Sequence, residues 1–324
     1  MRRPTDLPPA FRNAAFSRSD ALRRGIDDNR LRRSDLVAPF RGVRVSLENR
    51  PSNIRSRCEA YAPRLRPGQY FSHRTAALLW GLPAYERRSG LAAVDVAVSV
   101  GNGWPPDARG VSGHVVGGRP PDVTTLDGLP VCDAVSAWIQ LGSVAGLDEL
   151  IAMGDAAVFR PRYPKRGDAR PFADLDGLRV RVNEFRGRGK RRLAAALDLV
   201  REGVESPMET ALRLLLIRDG LPEPEVNVDI RTPSGGFAGR ADLYYPEFRL
   251  IVEYDGEQHR FNREIYAEDQ RRIARLIEAG ETVQRVRIEG LRSEAPVTLC
   301  DVRTALTAAG WRPPNPHRLG SSCR

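Results

Sequence analysis

The chain has 324 residues, of which 41% are hydrophobic and 28% charged, an ordinary composition for a soluble globular protein of two or three domains. It has no run of about 18 apolar residues, so no membrane-spanning helix is predicted, and no apolar segment behind the charged N-terminus indicates a signal peptide. The four cysteines lie far apart without a CxxC pair, which argues against a zinc site or a disulfide framework and favours a cytoplasmic location.

The net charge of +10 is unevenly distributed. Residues 1–66 contain 16 Arg and 7 Asp or Glu, a net charge of +9, whereas residues 200–312 contain 16 Arg and 20 Asp or Glu, a net charge of −4. A local positive field favours a polyanion such as DNA as partner. Only Lys165 and Lys190 are lysines, so an arginine-biased genome composition is the alternative explanation.

Residues 10–48 are predicted to form a small helical unit. A first helix over SDALRRG can be capped by Ser17 or Ser19 and stopped by Gly25. A second helix is predicted over DDNRLRRSDLV, and the alternation in RGVRVSL predicts a strand. Two helices around a tight glycine turn, followed by a short strand, are the outline of a winged helix-turn-helix.

Eight arginines of this unit are candidate DNA contacts, because guanidinium donors can reach phosphates and guanine edges. They lie on the two predicted helices and around the strand: Arg18, Arg23, Arg24, Arg30, Arg32, Arg33, Arg41 and Arg44. The alternative is a solvated basic helix pair without a ligand.

The stretch FSRSDALRRGIDDNRLRRSDLVAPFRGVRV resembles the N-terminal winged-helix domain of AbiEi-type antitoxins, which belong to abortive-infection (type IV) toxin–antitoxin systems. GQYFSHRTAALLWGLPAY, residues 68–85, resembles the start of the domain that follows in such proteins. The resemblance covers residues 10–160. It implies a DNA-binding winged helix, an accessory α/β region over residues 49–160 and a cognate toxin protein as a candidate partner.

The middle of the chain has mainly structural signals. Ser72 is predicted to cap a helix over HRTAALLW, VDVAVSV is predicted to be a strand, and DAVSAWIQLG and LDELIAMGDAAV are predicted to be helices. His73 has no Ser, Cys or acidic partner at a suitable spacing, so a structural role is favoured over that of a catalytic base. Residues 161–189 are rich in Arg, Pro and Gly and are predicted to be a linker.

Residues 190–312 are predicted to form a separate α/β domain. In SPMETALRLLLIRDGL, Ser206 and Pro207 mark a helix start, so the Glu209 carboxylate could simply bind the Ser206 backbone N–H. EPEVNVDI alternates as a strand, and RADLYY and RLIVEYD are predicted to form a β-hairpin.

A hairpin turn centred between Glu247 and Phe248 fixes the pairing of the two strands. Asp242 then lies opposite Glu253, and Arg240 lies opposite Asp255. Four residues of the other face point toward a core: Leu243, Tyr245, Leu250 and Val252.

The facing carboxylates of Asp242 and Glu253 repel each other unless a cation lies between them. Hard oxygen ligands at this spacing suit Mg²⁺ (or Mn²⁺) bound together with waters and phosphate oxygens. Asp255 could add a third ligand, and His259 could act as acid or base. Asp255–Gly256 is also compatible with a simple turn, with Asp255 paired to Arg240.

The helix with Glu209, the strand with Asp242 and the stretch VEYDGEQH together resemble the PD-(D/E)XK nuclease core, and more narrowly the DUF559 group, which is similar to Vsr-like repair endonucleases. The resemblance covers residues 200–292. It implies that Asp242 and Glu253 hold metal and that Glu209 assists. Asp255 stands where the family pattern has its lysine, and no lysine follows Lys190, so either Asp255 or His259 replaces the lysine or the site is inactive.

The sequence therefore predicts an α/β (α+β) protein with a winged helix at residues 10–48, an accessory region at 49–160, a linker at 161–189 and a nuclease-like domain at 190–312 with a mixed sheet flanked by helices. The expected function is DNA binding with Mg²⁺-dependent phosphodiester hydrolysis, in phage defence or DNA repair. The alternative is a non-enzymatic, antitoxin-like transcriptional regulator with a degenerate nuclease fold.

Overall fold

The structure of the protein is a computed structural model that describes residues 6–85, 93–256 and 263–313. The chain divides into two compact units. The first unit contains the residues up to Leu150 and Asp176–Ala195, and the second contains Ile151–Leu175 and the residues from Ala196 onward. Helices and three sheets are present, so the predicted mixed α/β class is confirmed.

The N-terminal segment of the first unit combines three short helices with a small antiparallel sheet. Its elements are α1 (Pro9–Arg12), β1 (Phe16–Ser17), α2 (Arg18–Arg23), α3 (Asp28–Leu31), β2 (Leu36–Val37) and β3 (Val43–Ser46). The strand order is β1–β3–β2. The Ser17 hydroxyl caps α2 by accepting from Asp20 N, and a buried apolar cluster that includes Phe11, Phe16 and Leu31 holds the segment together.

The second helix of this segment is shorter than predicted. DDNRLRRSDLV was expected to be helical throughout, but α3 ends at Leu31. Leu36 and Val37 are instead extended and pair with Ser46 and Val45 of β3. The prediction was wrong there because an apolar pair at the end of a helical pattern also fits a short strand.

The next part of the chain forms a five-stranded mixed sheet with helices. Its elements are α4 (Ile54–Tyr61), β4 (Tyr70–Phe71), α5 (His73–Leu79), β5 (Val94–Ser99), β6 (Val111–Val116), β7 (Val123–Leu126), β8 (Leu129–Cys132), α6 (Ala134–Leu141), α7 (Leu147–Val158), α8 (Leu175–Glu184) and α9 (Lys190–Leu197). The strand order is β6–β5–β4–β8–β7. Helix α8 lies within residues 161–189, which were predicted to be a linker.

The second unit is built on a four-stranded mixed sheet. Its elements after α9 are α10 (Pro207–Arg218), β9 (Glu225–Arg231), β10 (Phe237–Tyr245), β11 (Leu250–Tyr254), α11 (Arg263–Glu278), β12 (Thr282–Val286) and α12 (Ala295–Ala308). The order is β12–β11–β10–β9, with β12 parallel to β11 and the other neighbours antiparallel. The parallel pair requires a crossover, and α11 provides it.

Apolar residues cover the sheet of the second unit in two clusters. The larger cluster joins the sheet to α10 and α12 and includes the four residues that were predicted to face a core: Leu243, Tyr245, Leu250 and Val252. The smaller cluster joins Ile230 and Ile251 to Leu276 of α11. Helices thus pack against the sheet in two separate cores, as the alternation of the strands requires.

Among the described residues, no helix combines the length and the apolar character that crossing a membrane requires.

Candidate functional site: a carboxylate pair on the sheet of the second unit

The β10–β11 hairpin has the register that the sequence predicted. Leu243 pairs with Val252 and Tyr245 with Leu250. Asp242 precedes Leu243 on β10 and Glu253 follows Val252 on β11, so the two carboxylates are neighbours at the end of this pairing, and Glu253 is among the charges that raise the pKa of Asp242. Tyr254 N donates to Asp242 Oδ2 at 3.0 Å, which fixes the carboxyl group against β11. We call Asp242 and Glu253 the carboxylate pair.

Glu209 is held near this pair by α10 and β9. The Ser206 hydroxyl caps α10 by accepting from Glu209 N at 3.2 Å. The Glu209 carboxylate accepts a hydrogen bond from Glu205 N at 3.0 Å. The sequence had suggested the N–H of Ser206, the next residue, as its donor. Its Oε2 also accepts from Asn227 Nδ2 at 2.7 Å. Both bonds orient the Glu209 side chain.

Asn227 is a site residue that the sequence analysis missed. In the β9–β10 ladder Val228 pairs with Ala241 and Val226 with Leu243, so Asn227 lies beside Asp242. Its backbone has a φ of +51°, a left-handed conformation that Asn tolerates better than most residues. The sequence carried no signal for it, because Asn227 alternates with Glu225 and Asp229 at the polar positions of the strand.

The electrostatics of the site are those of crowded, buried acids. Burial raises the pKa of Asp242 to about 7, and repulsion from Glu209 and Glu253 adds to the effect of burial. The Tyr254 N–H and Arg272 oppose this shift only in part. Burial also raises the pKa of Glu209, against the effect of its hydrogen bonds. A cation at this position would relieve the repulsion between the carboxylates.

Arg272 of α11 is the cation that the structure places against the pair. Its Nη1 donates to Glu253 Oε1 at 2.6 Å and its Nη2 to Glu253 Oε2 at 2.8 Å, a two-pronged contact. Arg272 also donates to Asp269 Oδ1 at 2.8 Å and to the Arg240 carbonyl at 3.0 Å. The Glu253 side chain is only 4% exposed, and the hydrogen bonds to it raise the pKa of Arg272.

The close approach of α11 depends on Gly239. A Cβ at this position would lie 3.0 Å from Arg272 Cγ and 3.1 Å from Leu276 Cδ2, tighter than ordinary contact. The missing side chain therefore lets the stem of Arg272 lie over β10. Neither Gly239 nor Arg272 was singled out from the sequence.

Asp255, a predicted metal ligand or ion-pair partner, lies in an ion-pair network on β12. Its Oδ1 is 3.1 Å from Arg285 Nη2, and its Oδ2 is 3.5 Å from Arg287 Nε. Arg240, predicted to lie opposite Asp255, forms ion pairs with Asp229 at 2.9 Å and with Glu205 at 3.1 Å. Asp255 would have to leave its two arginines to bind a metal.

His259, the predicted acid or base, lies outside the described residues.

Within the described part of the chain, no group of three or more His, Cys, Asp or Glu side chains is arranged to hold a metal ion. The donors that fit Mg²⁺ best are the oxygens of Asp242 and Glu253, because both are hard ligands and their mutual repulsion favours a cation. The fit requires Glu253 to exchange Arg272 for the ion.

Four of the eight arginines predicted to contact DNA bind partners within the N-terminal segment. Arg18 pairs with Asp28, Arg23 with Asp20, and Arg30 with Asp35. The Arg44 guanidinium donates to the carbonyls of Leu31 and Val43 at 2.7 and 2.8 Å. These contacts satisfy donors that would otherwise face a phosphate.

The remaining predicted DNA contacts are more open. The Arg24 guanidinium lies 5.2 Å from the centre of the Phe11 ring. Arg32 and Arg33, which follow α3, and Arg41, which precedes β3, are exposed. Four of the eight arginines thus have polar partners within the segment, although two of these, Arg18 and Arg23, are also exposed.

No protein-family model matches the chain. Two curated relatives do, both described as uncharacterised proteins of Mycobacterium tuberculosis, one from strain CDC 1551 / Oshkosh and one from strain ATCC 25618 / H37Rv. Each is 34% identical over 110 residues, which is 33% of this chain. The chain spans 40% of the length of each relative, so the similarity concerns part of each protein.

Proposed function

We propose that the protein binds DNA through its N-terminal segment and hydrolyses phosphodiester bonds at the carboxylate pair with Mg²⁺ or Mn²⁺. The observation that carries the proposal is the proximity of Asp242 and Glu253 at the end of the β10–β11 pairing, where their repulsion favours a cation. The Glu209 helix and the two strands also keep the order of the nuclease core that the sequence resembles.

The chain's own residues would share the work as follows. Asp242 and Glu253 would hold the ion, which when bound would polarise the phosphate and lower the pKa of a water. Asn227 would keep the Glu209 carboxylate oriented toward the site through their 2.7 Å hydrogen bond. Arg272, released from Glu253, would be free to donate to a phosphate oxygen, in place of the lysine that the sequence lacks.

The test of hydrolysis compares purified wild-type protein with Asp242→Asn on plasmid and single-stranded DNA, in Mg²⁺, Mn²⁺ and EDTA. We expect metal-dependent cleavage that Asp242→Asn reduces at least about 100-fold, the effect of losing a central ligand. Glu225→Gln is the matched control, because Glu225 is an exposed carboxylate on β9. Equal cleavage by wild type and Asp242→Asn, or no metal-dependent cleavage, would contradict the proposal.

The N-terminal segment supports DNA binding through its element order and its charge. Helix α1, strand β1, helices α2 and α3 and strands β2 and β3 follow one another in the order expected of a winged helix. The exposed Arg32, Arg33 and Arg41 are its best candidates for phosphate contact. In this proposal the paired Arg18 and Arg23 mainly hold the segment's shape.

The test of DNA binding is the salt dependence of affinity for a duplex. Replacing Arg32, Arg33 and Arg41 by Gln should weaken binding and lower the salt slope by about one for each phosphate that the variant no longer neutralises. Arg18→Gln with Arg23→Gln is the control and should change the slope less. An unchanged slope in the triple variant would remove this surface as the DNA contact.

A second candidate function is a non-enzymatic, antitoxin-like regulator. The observation that favours it is the two-pronged contact of Arg272 with both oxygens of Glu253, which neutralises the carboxylate without metal. Titration of the full chain with Mn²⁺ separates the two functions. The regulator predicts DNA binding without metal binding, and the nuclease predicts a Mn²⁺ site that Asp242→Asn removes.

A further inference from the structure

A cavity of about 480 Å³ lies within the first unit. Its walls come from the end of β6, from α6 and from the loop between α8 and α9. The volume is in the range of pockets that hold small organic ligands, about 300–1,000 Å³. DNA cleavage at the carboxylate pair makes no use of this cavity, which belongs to the other unit.

The loop after α8 is shaped to close one side of the cavity. A Cβ at Gly189 would lie 2.3 Å from the carbonyl carbon of Gly142, so only glycine allows the loop to lie against the end of α6. Gly189 also has a φ of +96°, which favours glycine. A Cβ at Gly187 would lie 2.4 Å from Phe185 Cζ, so the Phe185 ring lies over the loop backbone.

The rim of the cavity is strongly basic. Four arginines and one carboxylate line it: Arg119, Arg181, Arg186, Arg188 and Glu184. Arg119 pairs with Glu184 at 2.8 Å, and Arg181 donates to Ser136 Oγ at 2.6 Å. Arg188 is exposed and has no ion pair within the described residues. Guanidinium groups at such density suit an anion, and their planar fork suits phosphate.

The inner wall is apolar, with one unsatisfied polar group. Ile139 and Val115 line it, and Val115 is 56% exposed. The Nε2 of Gln140 is buried and has no hydrogen-bond partner among the described residues. The Oε1 of the same amide accepts from His73 N at 2.8 Å, which fixes the orientation of the amide group. A buried donor of this kind requires an acceptor, which a ligand or a water can supply.

His73 adds an uncharged ring to the same wall. It stacks on His114 with ring centres 3.8 Å apart, and its Nδ1 is 3.0 Å from Ser72 Oγ. Burial and the neighbouring His114 lower the pKa of His73 to about 4, so the ring is neutral at pH 7. The cavity therefore combines a cationic rim with a neutral, partly apolar interior.

We propose that this cavity binds a nucleotide, with the phosphate between Arg181 and Arg188 and the base against Val115 and Ile139. The Gln140 amide donates to an acceptor on the base edge. The ligand chemistry is that of a nucleoside 5′-phosphate, which a free nucleotide and the end of a DNA strand both provide. The proposal adds a ligand site that nuclease activity does not require.

The test is calorimetric titration of the full-length protein in EDTA, which prevents metal-dependent cleavage of the probes. The probes are dAMP, deoxyadenosine, inorganic phosphate and a 5′-phosphorylated single-stranded oligonucleotide. We expect dAMP to bind at least tenfold more tightly than phosphate or deoxyadenosine, because it uses the rim and the inner wall together. A tenfold preference for the oligonucleotide would assign the site to a strand end, and equal or weaker oligonucleotide binding would assign it to a free nucleotide.

Two exposed positions supply variants that should fold. Arg188→Glu reverses charge at the rim, and Val115→Asp places a carboxylate on the inner wall, and each should weaken dAMP binding at least tenfold. Arg179→Ala, on the exposed side of α8 and outside the lining, should bind like wild type. Unchanged dAMP affinity in both variants, or dAMP binding no tighter than phosphate, would overturn the proposal.

Discussion

Two arginines of the second unit hold carboxylates in contrasting surroundings. The Arg213 side chain is fully buried, lies 3.5 Å from Asp155 and 3.1 Å from Glu223, and donates to the Leu199 carbonyl at 2.6 Å. The Arg272 side chain is 27% exposed and holds Glu253. Both are charge-assisted contacts, and the two arginines differ in burial, Arg213 lying in the interior and Arg272 partly exposed.

The partners of the two arginines differ as well. Asp155 accepts from Thr210 Oγ1 and from Arg201 N, each at 2.7 Å, so its charge is satisfied by donors around it. Glu253 instead faces a second carboxylate, Asp242, whose pKa is raised to about 7. An arginine on a buried acid whose charge other donors also satisfy indicates a structural role. An arginine on one of two neighbouring acids indicates a site that can accept another cation.

The largest expected effect on stability is at the buried Arg213. Arg213→Met should lower the free energy of unfolding by about 3–5 kcal/mol, because a buried carboxylate loses its counter-ion. Urea unfolding measures the change, with the exposed Arg231→Met as control. A loss below about 1 kcal/mol would contradict a stabilising role for Arg213 and remove the distinction from Arg272.

The pH dependence of this variant has a definite sign. Burial raises the pKa of Asp155 from its ordinary 3.8 to about 6, so its favourable contribution is present below pH 4 and lost as the pH rises through 6. Arg213 lowers that pKa, so its removal raises the pKa further. The destabilisation by Arg213→Met should therefore be greater at pH 8 than at pH 5.

An intermediate effect is expected at Arg272. Arg272→Met should lower the free energy of unfolding by about 2 kcal/mol, less than at the fully buried pair. Saturating Mg²⁺ or Mn²⁺ should stabilise Arg272→Met more than Arg213→Met, because in Arg272→Met the ion binds Glu253 and Asp242 without displacing an arginine. Thermal unfolding with and without metal measures this, and equal metal response in the two variants would contradict the distinction.

The smallest effect is expected at Asp269, which both Arg272 and Arg285 contact at 2.8 Å. Asp269→Asn should cost about 0.5–1 kcal/mol, because each arginine keeps another carboxylate partner. Glu268→Gln, at a more exposed acid of the same helix, is the control. A loss above about 2 kcal/mol would show that the Arg272 contact depends on Asp269 rather than on Glu253.

Local patterns made much of the second unit predictable. The alternation in RADLYY and RLIVEYD predicted which residues face the core, and the short turn predicted the register that pairs Leu243 with Val252. The contacts of these carboxylates were not predictable, because Arg272 and Asn227 reach them from a helix and a strand that are distant in sequence. Only tertiary packing at Gly239 brings the helix close enough.

Local sequence patterns predicted less of the first unit. Arginine content at the N-terminus predicted a local positive field, yet ion pairs such as Arg18–Asp28 and Arg30–Asp35 neutralise part of it. Nothing in the sequence near Arg188 indicated a cavity, because its walls come from segments that are distant from one another in the chain. Charge counts describe composition, and the availability of each charge depends on its neighbours.

The turn between β10 and β11 has a consequence for how such a protein can change over generations. Pro246–Phe248 and Arg249, with its left-handed φ of +50°, connect the two strands. A codon inserted or deleted there would turn Glu253 toward the apolar cluster of α10 and α12 and would bring a hydrophobic residue opposite Asp242. A change in loop length is ordinarily tolerated at a protein surface. Here it would abolish the carboxylate pair, although every helix and strand would stay in place.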